Sequence, residues 1–302
     1  PCIACLQGCV ANMYAGNPVC CLTNPFLGHE AEPLEKAEEP KKVMVIGGGV
    51  AGLSAAFIAK ERGHEVTLYE AGDVLGGNMR LAAYPPGKGD ITNMIRSYIH
   101  RCQKDGVKIV MNCEVTPELI KEEKPDSVII ATGSKTLILP IEGIDNPAII
   151  HGSDLLDGKR AAGKKVLVVG GGMVGCETAA FLGEQEHDVT VIEFRDTVGA
   201  DVIHEHRVYL MKDFEDYGIK EITGAKVCKF YEDGVEYETA DGVRHESRGY
   251  DSVILSMGFR NYNPLEEKIK DLVPETHVIG DAIRARRALD ATKEAYEVAS
   301  RI

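Results

Sequence analysis

An α/β fold with parallel sheets, in which one strand–turn–helix–strand unit is used twice, is what this 302-residue sequence predicts. Three observations carry the prediction. The segment "VMVIGGGVAGLSAAFIAKERGHEVTLYEA", Val43 to Ala71, runs from an apolar strand into Gly47, Gly49 and Gly52, then through a helical stretch to a second strand ending at Glu70. The segment "VLVVGGGMVGCETAAFLGEQEHDVTVIEF", Val166 to Phe194, repeats it without gaps at an offset of 123 residues, with 12 identities in 29 positions. A second pair, "DSVIIATGS" from Asp126 and "DSVILSMGF" from Asp251, also repeats, each an apolar strand emptying into a glycine turn. Such a duplication weighs more than either glycine run alone.

Each residue of the repeated unit has a physical task. Gly47 permits the tight turn after the strand, Gly49 lets the backbone approach a diphosphate, and Gly52 lets the helix pack closely on the strand. The unpaired N–H groups and positive dipole end at the helix N-terminus then face the phosphates. Glu70, 18 residues beyond Gly52, is placed to accept hydrogen bonds from ribose hydroxyls. Gly170, Gly172, Gly175 and Glu193 are the counterparts in the second unit, so two dinucleotides of the Rossmann type are expected. Glu193 would repel a 2′-phosphate and bond a free 2′-OH, which favours NADH over NADPH, although Arg195 two residues later works against that preference. Near the C-terminus, "THVIGDAIRARRALDATKEAYEVASRI" adds a short strand ending at Gly280 and Asp281, followed by a helix.

Composition excludes several classes. Hydrophobic residues make up 44 % and charged residues 27 %, the balance of a folded globular protein. A formal charge of -13 argues against nucleic acid and anionic membranes as partners. The longest apolar stretch, Val43 to Ala59, is better explained by strand, turn and helix than by a membrane span. No signal peptide is read, so a reducing cytoplasm is expected. Pro1 in place of an initiator Met implies processing or a piece of a longer protein.

Five of the nine cysteines lie in the first 21 residues, "PCIACLQGCVANMYAGNPVCC". Cys2, Cys5, Cys9 and Cys21 form a CxxCxxxCx11C pattern whose four thiolates suit an iron–sulfur cube. Structural zinc is the rival, but the second CxxC or CxxH pair it usually needs is missing. Spacing leaves open whether Cys20 or Cys21 is the fourth ligand. The scattered Cys102, Cys113, Cys176 and Cys228 read as buried small hydrophobes rather than a redox disulfide. The "HEH" at His204–His206 has the residue types to ligate metal but reads rather as lying on a solvated helix, and the "RARR" run, Arg284 to Arg287, fits a phosphate, a docking domain absent from this chain, or a basic surface pairing with acidic neighbours.

From about residue 41 onward the order of these motifs resembles the two-dinucleotide flavoproteins of the glutathione reductase type. That resemblance implies two Rossmann-like domains, with the NAD domain nested in the FAD domain. FAD would then contact Gly47, Gly49, Gly52, Glu70, Gly77, Asn78, Ala131, Thr132, Gly133, Gly280 and Asp281. NAD would contact Gly170, Gly172, Gly175, Glu177, Glu193 and Gly258. Glu177 matches an acid that lies near the nicotinamide in related reductases, a solvated helix carboxylate being the other reading. Residues 1–40 would be the cluster loop and linker, 41–145 and 251–302 the two parts of the FAD domain, and 146–250 the NAD domain.

"CIACLQGCV" with "CCLTNP" is similar to the cluster motif of the iron–sulfur members of the old yellow enzyme family, such as 2,4-dienoyl-CoA reductase, enoate reductase and trimethylamine dehydrogenase. In that motif the fourth cysteine directly precedes Leu and an NP dipeptide, which selects Cys21. The likeness extends through "LGGNMRLAAYPPGKGDI", where relatives commonly have Gln at the position of Asn78, and to the C-terminal helix. It implies that the chain is the C-terminal half of such an enzyme, beginning where an FMN-binding TIM barrel would end. Hydride from NADH would pass to FAD, then singly to a [4Fe-4S] cluster, then to FMN in the absent barrel, where an activated C=C bond is reduced. No catalytic acid or base is expected in these residues. A nucleotide-binding scaffold of the amine dehydrogenase kind, with ADP in place of FAD and no hydride input, is the alternative. The substrate and any homo-oligomer of the complete enzyme are not readable.

Overall fold

The computed structural model describes residues 1–302. In chain order the elements of the first part are α1 (Val10–Tyr14), β1 (Lys42–Ile46), α2 (Val50–Glu61), β2 (Glu65–Tyr69), α3 (Asn78–Leu81), α4 (Asp90–Lys104), β3 (Lys108–Val110), α5 (Pro117–Glu123), β4 (Ser127–Ile130) and β5 (Ser134–Thr136). Then come β6 (Ile150–His151), α6 (Gly152–Leu156), β7 (Lys165–Val169), α7 (Met173–Glu184), β8 (Asp188–Ile192), α8 (His204–Asp216), β9 (Lys220–Ile222), β10 (Lys226–Tyr231), β11 (Gly234–Glu238) and β12 (Arg244–Arg248). The last are β13 (Ser252–Leu255), β14 (Phe259–Asn261), α9 (Glu266–Ile269), β15 (Glu275–Val278) and α10 (Ala288–Ala299).

Two compact units result. Unit 1 holds residues 1–83, 90–135 and 260–302, and unit 2 holds residues 84–89 and 136–259. Unit 1 is built on a parallel sheet in the order β15-β4-β1-β2-β3. Unit 2 is built on a parallel sheet in the order β6-β13-β7-β8-β9, with an antiparallel meander of β10, β11 and β12. The repeated segments thus take equivalent places: β4 pairs with β1 as β13 pairs with β7.

The central strands are buried on both faces, which is why they read as unbroken apolar runs rather than alternating ones. Helix α2 is buried from Val50 through Ala59, and α10 and α4 pack against it. A helix apolar all round must be covered all round. Its alanines, Ala51, Ala55, Ala56 and Ala59, let those neighbours approach closely. Helix α4, at the surface, buries only one stripe: Ile91, Met94, Ile95, Tyr98 and Cys102. No helix is long and apolar enough to cross a membrane.

The cysteine-rich segment is fastened to unit 1. The buried Tyr98 hydroxyl donates to the Leu22 carbonyl at 2.8 Å. Phe26 stacks on Phe57 and meets Tyr296 edge to face, while the Arg101 guanidinium lies 4.8 Å from its ring centre. Among the scattered cysteines, Cys102 and Cys176 are buried as expected, and desolvation pushes each thiol up to about 12. Cys113 and Cys228 depart from the expectation and are only half-buried, Cys228 where the register between β10 and β11 shifts between Val227 and Lys229. All nine cysteines are free thiols.

Candidate dinucleotide sites and cysteine loop

In unit 1 the first glycine turn follows β1. Gly47 has φ 109°, and a β-carbon on it would overlap the carbonyl of Ala131 at the end of β4. A β-carbon on Gly52 would overlap the Gly47 carbonyl, the close packing of helix on turn that the sequence implied. Gly49 has nothing within 4 Å on its side-chain side, so the backbone is bare there at the start of α2. At the end of β2, both Glu70 oxygens are held by backbone amides: Gly48 N–H donates to Oε2 and Gly72 N–H to Oε1, each at 2.7 Å. A carboxylate oxygen has a second lone pair, so Glu70 keeps acceptor capacity for hydroxyl groups.

The remaining residues expected at this site form one rim. Gly77 (φ 54°) starts α3 beside Gly49. Asn78 Nδ2 donates to the Ser134 carbonyl and approaches its hydroxyl, both at 3.3 Å. Ser134 Oγ in turn donates to Asp281 Oδ2 at 2.8 Å, and Arg286 N–H donates to Oδ1 at 3.0 Å. Gly280 donates to Glu294 and sits against Ala51 in the first turn of α2. Thr132 donates to the Tyr262 carbonyl at 2.5 Å, and Gly133 turns the chain with φ 75°. Sequence reasoning missed Ser134 and Glu294. Neither is flagged by spacing, because their partners stand 147 and 14 residues away.

Unit 2 repeats the arrangement. Gly170 (φ 106°) turns against the Ser256 carbonyl, and a β-carbon on Gly175 would overlap the Gly170 carbonyl. Glu193 is held by Gly171 N–H at 2.6 Å and Arg195 N–H at 2.9 Å. Gly258, after β13, has φ 99° and accepts from Leu137 N–H at 2.9 Å. Glu177 is not a solvated carboxylate: its side chain is 12 % exposed and pairs with Lys88 Nζ at 2.8 Å. Lys88 was not singled out from sequence, since nothing in "PPGKGD" marks a lysine for a partner 89 residues on. Also unforeseen is Asp201, whose Oδ1 accepts from Met173 N–H at 2.8 Å, at the N-terminus of α7.

In the cysteine segment, Ala4 and Leu6 adopt φ near 51° and 55°, and the Cys20 amide donates to the Gly8 carbonyl at 2.8 Å. These features curl residues 2–9 and bring them to residues 20–21. Burial is the largest influence raising the Cys5 thiol, and the neighbouring thiols of Cys21, Cys9 and Cys2 add to it. Cys20 turns aside: its sulfur accepts from Asn12 Nδ2 at 3.4 Å. No three His, Cys or carboxylate side chains converge closely enough to hold a single metal ion.

A family model described as pyridine nucleotide-disulphide oxidoreductase matches residues 41–279. The cinnamate reductase of Clostridium sporogenes is 34 % identical over 306 residues, covering 100 % of this chain and 45 % of that protein. The NADH oxidase of Thermoanaerobacter brockii is 34 % identical over 310 residues, covering 100 % of this chain and 47 % of its own length. Among solved structures, a 2-naphthoyl-CoA reductase in complex with 2-naphthoyl-CoA superposes with a TM-score of 0.94 at 33 % identity, over 100 % of this chain and 46 % of that one. The chain therefore spans about half the length of the curated relatives it matches.

Proposed function

The chain belongs to the pyridine nucleotide-disulphide oxidoreductase family, and from that footing we propose that it is the NADH-oxidising, electron-transferring half of a larger ene-reductase-type flavoenzyme. It is an oxidoreductase, and the relatives it spans only in part are reductases and an oxidase. The observation that carries the reading is the duplicated turn: in each unit a glycine precedes the helix N-terminus and the following strand ends in a carboxylate fixed by two backbone amides. FAD is assigned to unit 1 and NADH to unit 2, a [4Fe-4S] cluster to Cys2, Cys5, Cys9 and Cys21, and FMN to a barrel outside this chain.

The residues present fit these groups. Gly47 and Gly52 shape the turn so that the start of α2, bare at Gly49, offers the FAD diphosphate its amides and its positive end. Glu70 orients the adenosine ribose, while the Asn78–Ser134–Asp281 rim offers polar atoms to the ribityl chain. Glu193 accepts from the NADH ribose and excludes a 2′-phosphate by charge. Lys88 pairs with Glu177, so this largely buried carboxylate is compensated. A cube carries its four thiolates on separate corners, so its ligands need not converge as closely as those of one ion. When bound, the flavin accepts two electrons as hydride and releases them one at a time, and the cluster relays them. The pocket that selects a C=C substrate lies outside this chain.

One observation favours a second reading, a scaffold with ADP on the first turn and no hydride input: Asp201 already engages the amide that opens the second helix. An anaerobic titration separates the two. The chain reconstituted with FAD, iron and sulfide is expected to hold four irons and to lose its visible flavin absorbance when NADH is added. Bound ADP with no flavin taken up, or a flavin band that NADH leaves unchanged, sinks the first reading.

A further inference from the structure

The 123-residue offset runs on past Glu193. It aligns Gly76 with Gly199, Gly77 with Ala200, and Asn78 with Asp201. The loops start alike, since Gly76 N–H donates to the Gly48 carbonyl at 2.8 Å and Gly199 N–H to the Gly171 carbonyl at 2.7 Å. They part at the next residue. Gly77, with φ 54°, swings Asn78 away toward Ser134 and leaves Gly49 bare. Ala200 replaces that glycine, and Asp201 lands on the N-terminus of α7. There its Oδ1 accepts from Met173 N–H at 2.8 Å, and both carboxylate oxygens lie 3.5 Å from where a Gly172 β-carbon would stand.

We infer that Asp201 is a built-in anionic plug of the second glycine turn, which the diphosphate of NADH must displace, so that this side chain sets nucleotide affinity. The inference rests on the reading of unit 2 as the NADH site. Helix α7 is 12 residues long, has no acidic residue in its first turn, and is preceded by Gly172, which has no side chain to cap it. Its first amides therefore lack partners, and an anion there is stabilised by both hydrogen bonding and the helix dipole. Asp201 meets that need from within the chain. A diphosphate seeks the same amide and the same positive end, and two anions cannot occupy one such position. Binding then exchanges one anionic cap for another, whereas on the first turn the cap is gained outright. Since Asp201 is exposed, the plug can swing into water without unfolding the unit.

The test uses the full chain reconstituted with FAD, titrated with ADP-ribose by calorimetry and assayed for the KM of NADH. Replacing a capping side chain by Ala removes a contact equivalent to roughly five- to tenfold in an equilibrium constant. Asp201→Ala is expected to bind ADP-ribose about five- to tenfold more tightly and to lower KM by a similar factor, with FAD content unchanged. Asp201→Asn, which can still accept from Met173 but has lost the charge, is expected between wild type and Ala. Without nucleotide, Asp201→Ala should melt at a lower temperature, a loss that ADP-ribose reverses. Equal or weaker binding by Asp201→Ala overturns the plug and leaves the NADH reading standing. Absence of ADP-ribose binding by every form overturns both. If the Ala variant does not fold, the Asn variant decides by the same comparison, and affinity no tighter than wild type counts against the plug.

Discussion

The two glycine turns are near copies in backbone and differ in what stands over them. In unit 1 the helix start is bare at Gly49 and the neighbouring loop bonds to Ser134. In unit 2 the same start is covered by a carboxylate from the equivalent loop. Duplication has thus preserved what sterics compel and varied what binding tunes. The glycines that cannot change are those where a β-carbon would strike backbone, Gly47 and Gly52 or Gly170 and Gly175. The side chain that did change, Asn78 against Asp201, is exposed in both units, so the core does not dictate its identity.

The largest effect expected from breaking this symmetry is at the third glycine of each turn. Gly52→Ala and Gly175→Ala each force a β-carbon into a backbone carbonyl that cannot yield, at a cost of about 3 kcal/mol, the upper end of overpacking, to the unit concerned. Gly52→Ala should abolish FAD retention, and Gly175→Ala should abolish NADH binding while FAD is retained. Loss of both cofactors in either variant would mean that the two units do not behave separately. Denaturant melts with flavin absorbance as a second probe read this directly.

A smaller effect is expected at the acid. Glu193→Ala removes a charged acceptor equivalent to about 1.5–3 kcal/mol, so NADH affinity should fall at least tenfold and the preference over NADPH should narrow. Steady-state KM values for the two nucleotides check this, and an unchanged ratio would remove Glu193 from cofactor choice.

The smallest effect distinguishes the units by acid sensitivity. His64 and His187 stand at the same duplicated position, but only His64 is enclosed. It accepts from Lys41 N–H at Nδ1 and faces the Ile302 carbonyl through Nε2, at 1 % exposure. Burial, then the Arg62 and Lys41 charges, hold its pKa below the ordinary 6.5, against a raising influence from Ile302. Between that lowered value and 6.5 the unfolded chain holds a proton that the folded chain does not. Stability from this group is therefore complete above 6.5 and falls as pH drops through the window toward the folded pKa. Melting temperatures of wild type and His64→Phe from pH 7.5 to 5 should converge as pH falls. Parallel curves would refute the assignment.

Much of this was legible in the chain because it rests on local or repeated constraints. A strand buried on both faces must be continuously apolar, a turn that presses helix on carbonyl must use glycine, and a copy of such a unit must carry the same letters at a constant offset. That sufficed for the α/β class, both turns, Glu70 and Glu193. The fully covered α2 explains why its sequence looked nearly long enough for a membrane, since burial in a core demands the same apolarity as burial in lipid. What only tertiary structure decided were pairings between residues distant in sequence: Lys88 with Glu177, Ser134 with Asp281, the turning of Cys20 toward Asn12, and Asp201 over Met173. Composition and spacing are blind to these because the direction of a side chain is set by the backbone of its own loop, and one residue, Ala200 where the first copy has Gly77, is enough to re-aim it.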